Sequence, residues 1–262
     1  MNVYTQADFD AIKQESKSFI TLPAGDWSAV DFGGADLVII PDDCILGSCK
    51  LGQNCTIGKR CKFDGKCLFG MYCTFGFDCE FGDECVFYNC CTLKSSCKTG
   101  DYCVLLGAYI DWSCEIGNYC LLRGCKLGKY CKVGNGCIVG EQSEAAEHCK
   151  FGKDCVFGRY CELGLNCELG DGCRLGECCR LEGGVVQNAA YFKVKDIKDE
   201  GDNIYLFCNT KTGEIFIRMG RWPYELEYIE EEAQRKYAPA EYVNKRLALI
   251  KLAKETFKEY IK

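Results

Sequence analysis

"CKFGKDCVFGRYCELGLNCELGDGC", residues 149–173, places a cysteine at every sixth position. Between cysteines the frame is Cys-x-Φ-Gly-x-x, where Φ is a large apolar residue, here Phe151, Phe157, Leu163 and Leu169. Alternation along a short extended segment puts Cys and Φ on one side of the chain and the residue between them on the other. Glycine after Φ is expected to supply the permissive backbone for a sharp corner. One such unit buries almost nothing, so the units have to stack.

Working outward, the frame runs far beyond this stretch. Cysteine holds the slot at Cys49, Cys55, Cys61, Cys67, Cys73, Cys79, Cys85, Cys91, Cys97 and Cys103. Tyr109 is read as the next occupant, followed by Cys114, Cys120, Cys125, Cys131 and Cys137, then Ser143, then Cys149 to Cys179. Three steps are read as five residues long, at 44–49, 109–114 and 120–125. Stepping back in sixes from Cys44 lands on Val38 and Phe32, so the pattern begins there without cysteine.

Three six-residue sides make a coil of 18 residues, and residues not used to define the repeat test that geometry. If every third unit shares a face, the outward residues sort into three unlike stripes. One reads Ile45, Lys62, Glu80, Lys98, Glu115, Lys132, Lys150, Glu168, a solvated ladder in which opposite charges on neighbouring strands attract. A second reads Thr56, Thr74, Thr92, Ile110, Lys126, Glu144, Glu162, Arg180. The third reads Lys50, Leu68, Val86, Val104, Leu121, Ile138, Val156, Arg174: six consecutive apolar residues bounded by charge. Sorting by two units or by four mixes the classes. An apolar strip on a polar rod marks a contact surface. The six residues Leu68 to Val156 are therefore the candidate partner-binding site, with a second copy as the simplest occupant and a folded-back terminal segment as the other.

The motif resembles the [LIV]-Gly-x-x-[small]-x pattern of hexapeptide-repeat proteins, with cysteine in the small position, over roughly residues 44–182. That resemblance implies an all-β solenoid, a three-sided left-handed parallel β-helix of about eight coils. A four-sided pentapeptide solenoid fits less well, because steps of six heavily outnumber steps of five. At about 4.8 Å per stacked strand, eight coils make a rod of about 38 Å. No proline falls between Pro41 and Pro223, as interior strands that must donate to their neighbours require.

The chain holds 25 cysteines. In a reduced compartment a thiol behaves as a small buriable hydrophobe. Vertical disulfides would strain the coil, since bridged Cβ atoms lie at roughly 3.5–4.5 Å and stacked strands are farther apart. No C-x₂-C knuckle is present, so no metal site or other cofactor is expected. Cys90 and Cys178 stand outside the slot, at the same corner about five coils apart, and are read as surface thiols.

Net charge is −6, which gives no reason to expect nucleic-acid binding, and no apolar run reaches the ~20 residues that span a bilayer. With a polar N-terminus, "MNVYTQADFDAIKQ", the expectation is a cytoplasmic protein. Resemblance to hexapeptide-repeat proteins also raises acyl transfer, with a histidine as general base. The single histidine, His148, falls in a corner, and no long loop interrupts the repeats to form a pocket. No catalytic residue is assigned, and an acyltransferase using His148 is the alternative. Tyr72, Phe77, Tyr102, Trp112, Tyr119, Tyr130 and Tyr160 gather at turns, where they shield backbone or meet a partner.

Three segments follow: an N-terminal cap over 1–26, the cysteine-ladder β-helix over 27–184, and a small α+β cap over 185–262 with a hairpin and two helices. "TQADFDAIKQES" reads as a helix with Thr5 and Asp8 as a capping box. "YFKVKDI", "NIYLFC" and "EIFIRMG" read as strands, and "PYELEYIEEEAQRKY" as a helix opened by Pro223. In the last helix Tyr242, Leu249, Ile250, Ala253, Phe257 and Ile261 share one face. "LPAGDW", "VDFGGADLVIIPDDC", the Leu-Gly-Cys repeats and "EIFIRMG" together resemble uncharacterised cysteine-rich repeat proteins of bacteriophages and prophages. That resemblance implies a virus-encoded protein in the cytoplasm of an infected or lysogenic cell. The expected function is a non-enzymatic interaction scaffold, dimeric through the apolar face and able to bind or block a host protein. A structural part of a phage particle is a further alternative.

Overall fold

The computed structural model describes residues 1–164 continuously, then 167–170, 172–176, 179–181, 184–185, 192–199, 202–209, 215–219, 222–225, 240–256 and 258. Three parallel sheets wind into a three-sided solenoid of about eight turns. Each strand is two or three residues long and pairs with its equivalents one coil before and after, as Lys62↔Glu80↔Lys98 do. The middle residue of Cys-x-Φ faces out and Φ faces in: Lys62 is exposed while Phe63 is buried. Ladder bonds hold the coils, with the Lys62 N–H donating to the Cys44 carbonyl at 2.9 Å and the Gly82 N–H to the Phe63 carbonyl at 2.9 Å.

The corner works differently from the expectation. Glycine after Φ is not in the left-handed region. A Cβ on Gly70 would stand 2.5 Å from the carbonyl carbon of Gly52, and one on Gly76 would stand 2.5 Å from the Gly58 carbonyl oxygen. Glycine is needed there because consecutive coils touch backbone to backbone. The left-handed residue is the one just before each cysteine slot, and it is usually not glycine: Tyr72, Asp78, Tyr102 and His148 have φ of 61°, 58°, 58° and 59°. Each costs of the order of 1 kcal/mol, and stacking on both sides holds it in place.

At the corner between the charged and apolar sides, acidic and amide side chains form a second ladder. Oδ1 of Asp83 accepts from the Asp101 N–H, Asp101 from Asn118, Asn118 from Asn135 and Asn135 from Lys153, at 2.6–2.8 Å. These bonds satisfy corner N–H groups that the strand ladders leave over.

The interior is filled by thiols and Φ side chains. Phe63, Phe69, Phe75, Phe81 and Phe87 from successive sides interlock, with Phe69–Phe75 centroids 4.8 Å apart and Phe63–Phe81 at 5.0 Å. The 23 cysteines whose side chains are described are free thiols and all but Cys90 are buried. They do more than occupy space. Sγ of Cys73, Cys79, Cys91, Cys97 and Cys155 lies 3.1–3.2 Å from the carbonyl oxygen of the glycine 21 residues earlier, one coil back at the corner. No described backbone N–H donates to these carbonyls. The thiol is a weak donor small enough to fit, so it meets an acceptor that alanine would leave bare. Cys125 bonds the Leu105 carbonyl at 3.2 Å, and burial pushes its thiol up to about 11. A thiol-reactive dye is accordingly expected to modify Cys90 alone among these 23 cysteines of the native protein, and all 25 residues after denaturation.

One phase assignment is corrected. Thr92 pairs with Tyr109 and Leu93 with Ile110, so Tyr109 faces out and Ile110 faces in. Ala108, 1 % exposed, takes the inward slot. The short step is 103–108 rather than 109–114. Gly107, with φ of 55°, turns the corner there in fewer residues.

Helix α1, Gln6–Glu15, carries the expected capping box: the Thr5 N–H donates to Asp8 Oδ2 at 2.7 Å and the Asp8 N–H to Thr5 Oγ1 at 3.4 Å. Its Phe9 packs edge-on to Phe32 at 5.0 Å, and Tyr4 stacks on the fully buried Trp27 at 4.3 Å, closing the first coil. Ile20–Thr21, within residues 1–26, and Asp26–Trp27, across that boundary, already pair into the sheets.

At the other end, antiparallel strands Phe192–Asp199, Asp202–Asn209, Ile215–Met219 and Trp222–Glu225 continue the sheet of the apolar side beyond Arg174–Leu175. The expected hairpin is therefore part of a four-stranded meander. Pro223 belongs to its last strand rather than to a helix start; proline is tolerated on an edge because no ladder donor is needed there. Residues 226–239, the remainder of that expected helix, lie outside the described residues. Helix α2, Ala240–Thr256, packs on Ile215–Met219 and buries Leu249, Ile250 and Ala253. Phe257, Ile261 and the side chain of Tyr242 lie outside the described residues.

Candidate interaction surface

The register brings all six candidate residues into one column: Leu68↔Val86↔Val104↔Leu121↔Ile138↔Val156, with Lys50 above and Arg174 below. Five are half-buried. Ile138 is 52 % exposed and stands proudest. The column forms because sheet alternation turns the residue after each cysteine outward, and every third unit returns to the same side.

Two further columns flank it, and sequence reasoning did not assemble them. Two residues before each central position stand Lys66, Glu84, Tyr102, Tyr119, Gly136 and Asp154. Two residues after stand Gly70, Tyr88, Leu106, Arg123, Gly140 and Gly158. Tyr102 and Tyr119 are stacked, with centroids 5.3 Å apart and planes 15° from parallel. Tyr88, Leu106 and Arg123 occupy the slot that glycine holds in the other coils of this side. The missing glycine after Phe87 and after Leu105 was the signal that could have found Tyr88 and Leu106. The centre of the face is thus Val86, Val104 and Leu121, rimmed by three tyrosines and a leucine. Apolar cores with tyrosine rims are the composition that protein interfaces favour.

The neighbouring charged side contrasts with it. Lys62–Glu80 lie 3.1 Å apart, Lys150–Glu168 2.9 Å, and Glu115 sits between Lys132 at 2.8 Å and Lys98 at 3.6 Å. The Lys132 hydrogen bond holds the Glu115 carboxyl below its usual range. These exposed pairs keep that side hydrated and contribute little to stability each. On the threonine side, Ala145 fills less space than Leu127 and Leu163 in the same slot of the neighbouring coils, and an open groove of about 400 Å³ runs past Lys126, Glu144 and Leu163.

His148 sits in its corner with the imidazole stacked on Tyr130, centroids 4.9 Å apart and planes at 7°. That corner joins the threonine side to the charged side, two residues after the groove-lining Ala146. Cys90 occupies a left-handed corner with φ of 64° and is half-buried; Cys178 lies outside the described residues. Among the described residues no three His, Cys, Asp or Glu side chains converge on a point where a metal ion could sit. No described helix is long and apolar enough to cross a membrane. No protein-family model, curated protein or solved structure matches the chain.

Proposed function

We propose that this protein is a non-enzymatic interaction scaffold that self-associates through the apolar side of its solenoid. One observation carries this: six apolar residues, in unbroken register, stand on a side that the described parts of both ends leave uncovered. Helix α1 closes the first coil at its end, and the C-terminal strands lengthen the same sheet instead of lying across it. A contiguous apolar strip with a tyrosine rim has its free energy to gain from a partner that excludes water. Sedimentation or light scattering across a concentration series is expected to give a mass of two chains. Val104→Glu is expected to weaken association by about 100-fold or more, because a carboxylate would be buried unpaired at the centre. Circular dichroism should not change, as Val104 faces outward. An unaltered mass for Val104→Glu would defeat the proposal.

A further inference from the structure

The three columns of the apolar side also constrain how a second copy sits on it, and this inference rests on the self-association just proposed. The central column alone covers on the order of 200 Å² of projected surface, well short of the ~800 Å² per partner that a standard interface buries. All three columns together cover about 600 Å², so the flanking residues have to take part.

Two two-fold arrangements bring the side against itself. With the rods parallel, the leading column of one copy faces the trailing column of the other at the same coil. Lys66 and Asp154 then meet Gly70 and Gly158, Glu84 meets Tyr88, and Gly136 meets Gly140. Lys66 and Asp154 are left with no charged partner across the face, and the leanest coil is set against itself where Ile138 already protrudes. With the rods antiparallel and the axis between Val104 and Leu121, like columns face in reversed order. Lys66 then meets Asp154 of the second copy, and Tyr102 meets its Tyr119. Tyr88 comes over its Gly140, and Val86 receives its protruding Ile138. Lys66 already pairs with Glu84 in its own chain at 4.0 Å, so the acid beside it is accounted for as well.

We infer that the partner is a second copy docked antiparallel, with Val104 against the second copy's Leu121 and Lys66 against its Asp154 at both ends of the face. Electrostatic matching and the fit of bulky coils over lean ones both select this arrangement over the parallel one. Like-charge pairs created at a docked edge weaken association, and restoring the opposite sign restores it.

The test is a charge swap read by sedimentation equilibrium. Lys66→Glu and Asp154→Lys are each expected to weaken self-association about tenfold, and Lys66→Glu/Asp154→Lys together to return it to within a few-fold of the wild type. Both positions are exposed left-handed corners that already accept lysine, aspartate or arginine elsewhere in the coil, so the variants are expected to fold. A photo-crosslinker at position 68 should attach near Val156 of the second copy. If the double variant is no tighter than the singles, or the crosslink joins position 68 to position 68, the antiparallel inference fails while self-association stands. A wild type that is monomeric at every concentration removes the proposed function itself.

Discussion

Gly76→Ala is expected to lower the thermal midpoint by about 10 °C, a loss of some 3–4 kcal/mol from a single added methyl group. The new Cβ would stand 2.5 Å from the Gly58 carbonyl oxygen and 2.6 Å from its carbonyl carbon. Neither atom yields easily, because Gly58 belongs to the coil below and is held there by its N–H bond to the Ile40 carbonyl at 2.7 Å. Relief requires the two coils to separate at that corner, which would lengthen the 2.9 Å bond from the Gly76 N–H to the Ile57 carbonyl and draw Sγ of Cys79 away from the Gly58 carbonyl. Gly124→Ala is the control. Gly124 has φ of 62° with nothing within 4 Å of a Cβ, so alanine there should cost only about 1 kcal/mol. Midpoints from calorimetry for the two variants check this. Equal losses would mean that the glycine after Φ serves conformation, contrary to the geometry described.

The second large effect is expected in the cysteine slot. Cys97 is fully buried, and its thiol lies 3.2 Å from the Gly76 carbonyl oxygen. Cys97→Ala removes the donor and leaves a small void, for a loss of about 2 kcal/mol. Cys97→Ser keeps a donor and should cost less than alanine, since a hydroxyl fits the slot at Ser143 and finds an acceptor there, the Gly140 carbonyl of its own coil at 2.9 Å. Cys97→Leu adds volume where stacked slots above and below are occupied, and should cost 3 kcal/mol or more. Denaturant unfolding of the three variants gives the order. Were leucine tolerated as well as serine, the slot would not be limited by size and the packing account of the thiols would fail.

How much of this was legible beforehand varies with the kind of interaction. The 18-residue coil, the inward thiols, the charge ladder and the apolar column were all readable, because alternation and period depend only on chain geometry. Three details differ between the sequence reading and the structure, for one reason each. Tyr109 was given the inward slot because periodicity counts residues, whereas Gly107 shortens the corner and shifts the phase by one. The repeat alone suggests a conformational device in the glycine after Φ, whereas its role is contact with the preceding coil, which no single unit reveals. Pro223 was read as a helix start because proline at a first turn and proline on an edge strand leave the same local mark. The flanking columns escaped notice because Tyr88 and Leu106 matter through what stands beside them across the face.

The sequence by itself determined the coil: its length, its three sides, and which side is apolar, charged or threonine-bearing. These follow from a repeat whose period is set by bond geometry and by the need to hide every Φ. Only the tertiary structure decided why the slots hold the residues they do. A glycine is required where backbones meet, and a thiol where a corner carbonyl of the previous coil lacks a donor. Aspartate and asparagine stand where the next coil's N–H needs an acceptor. Each of those requirements is a contact between residues 17 to 21 positions apart, and distance along the chain carries no record of it until the coil closes.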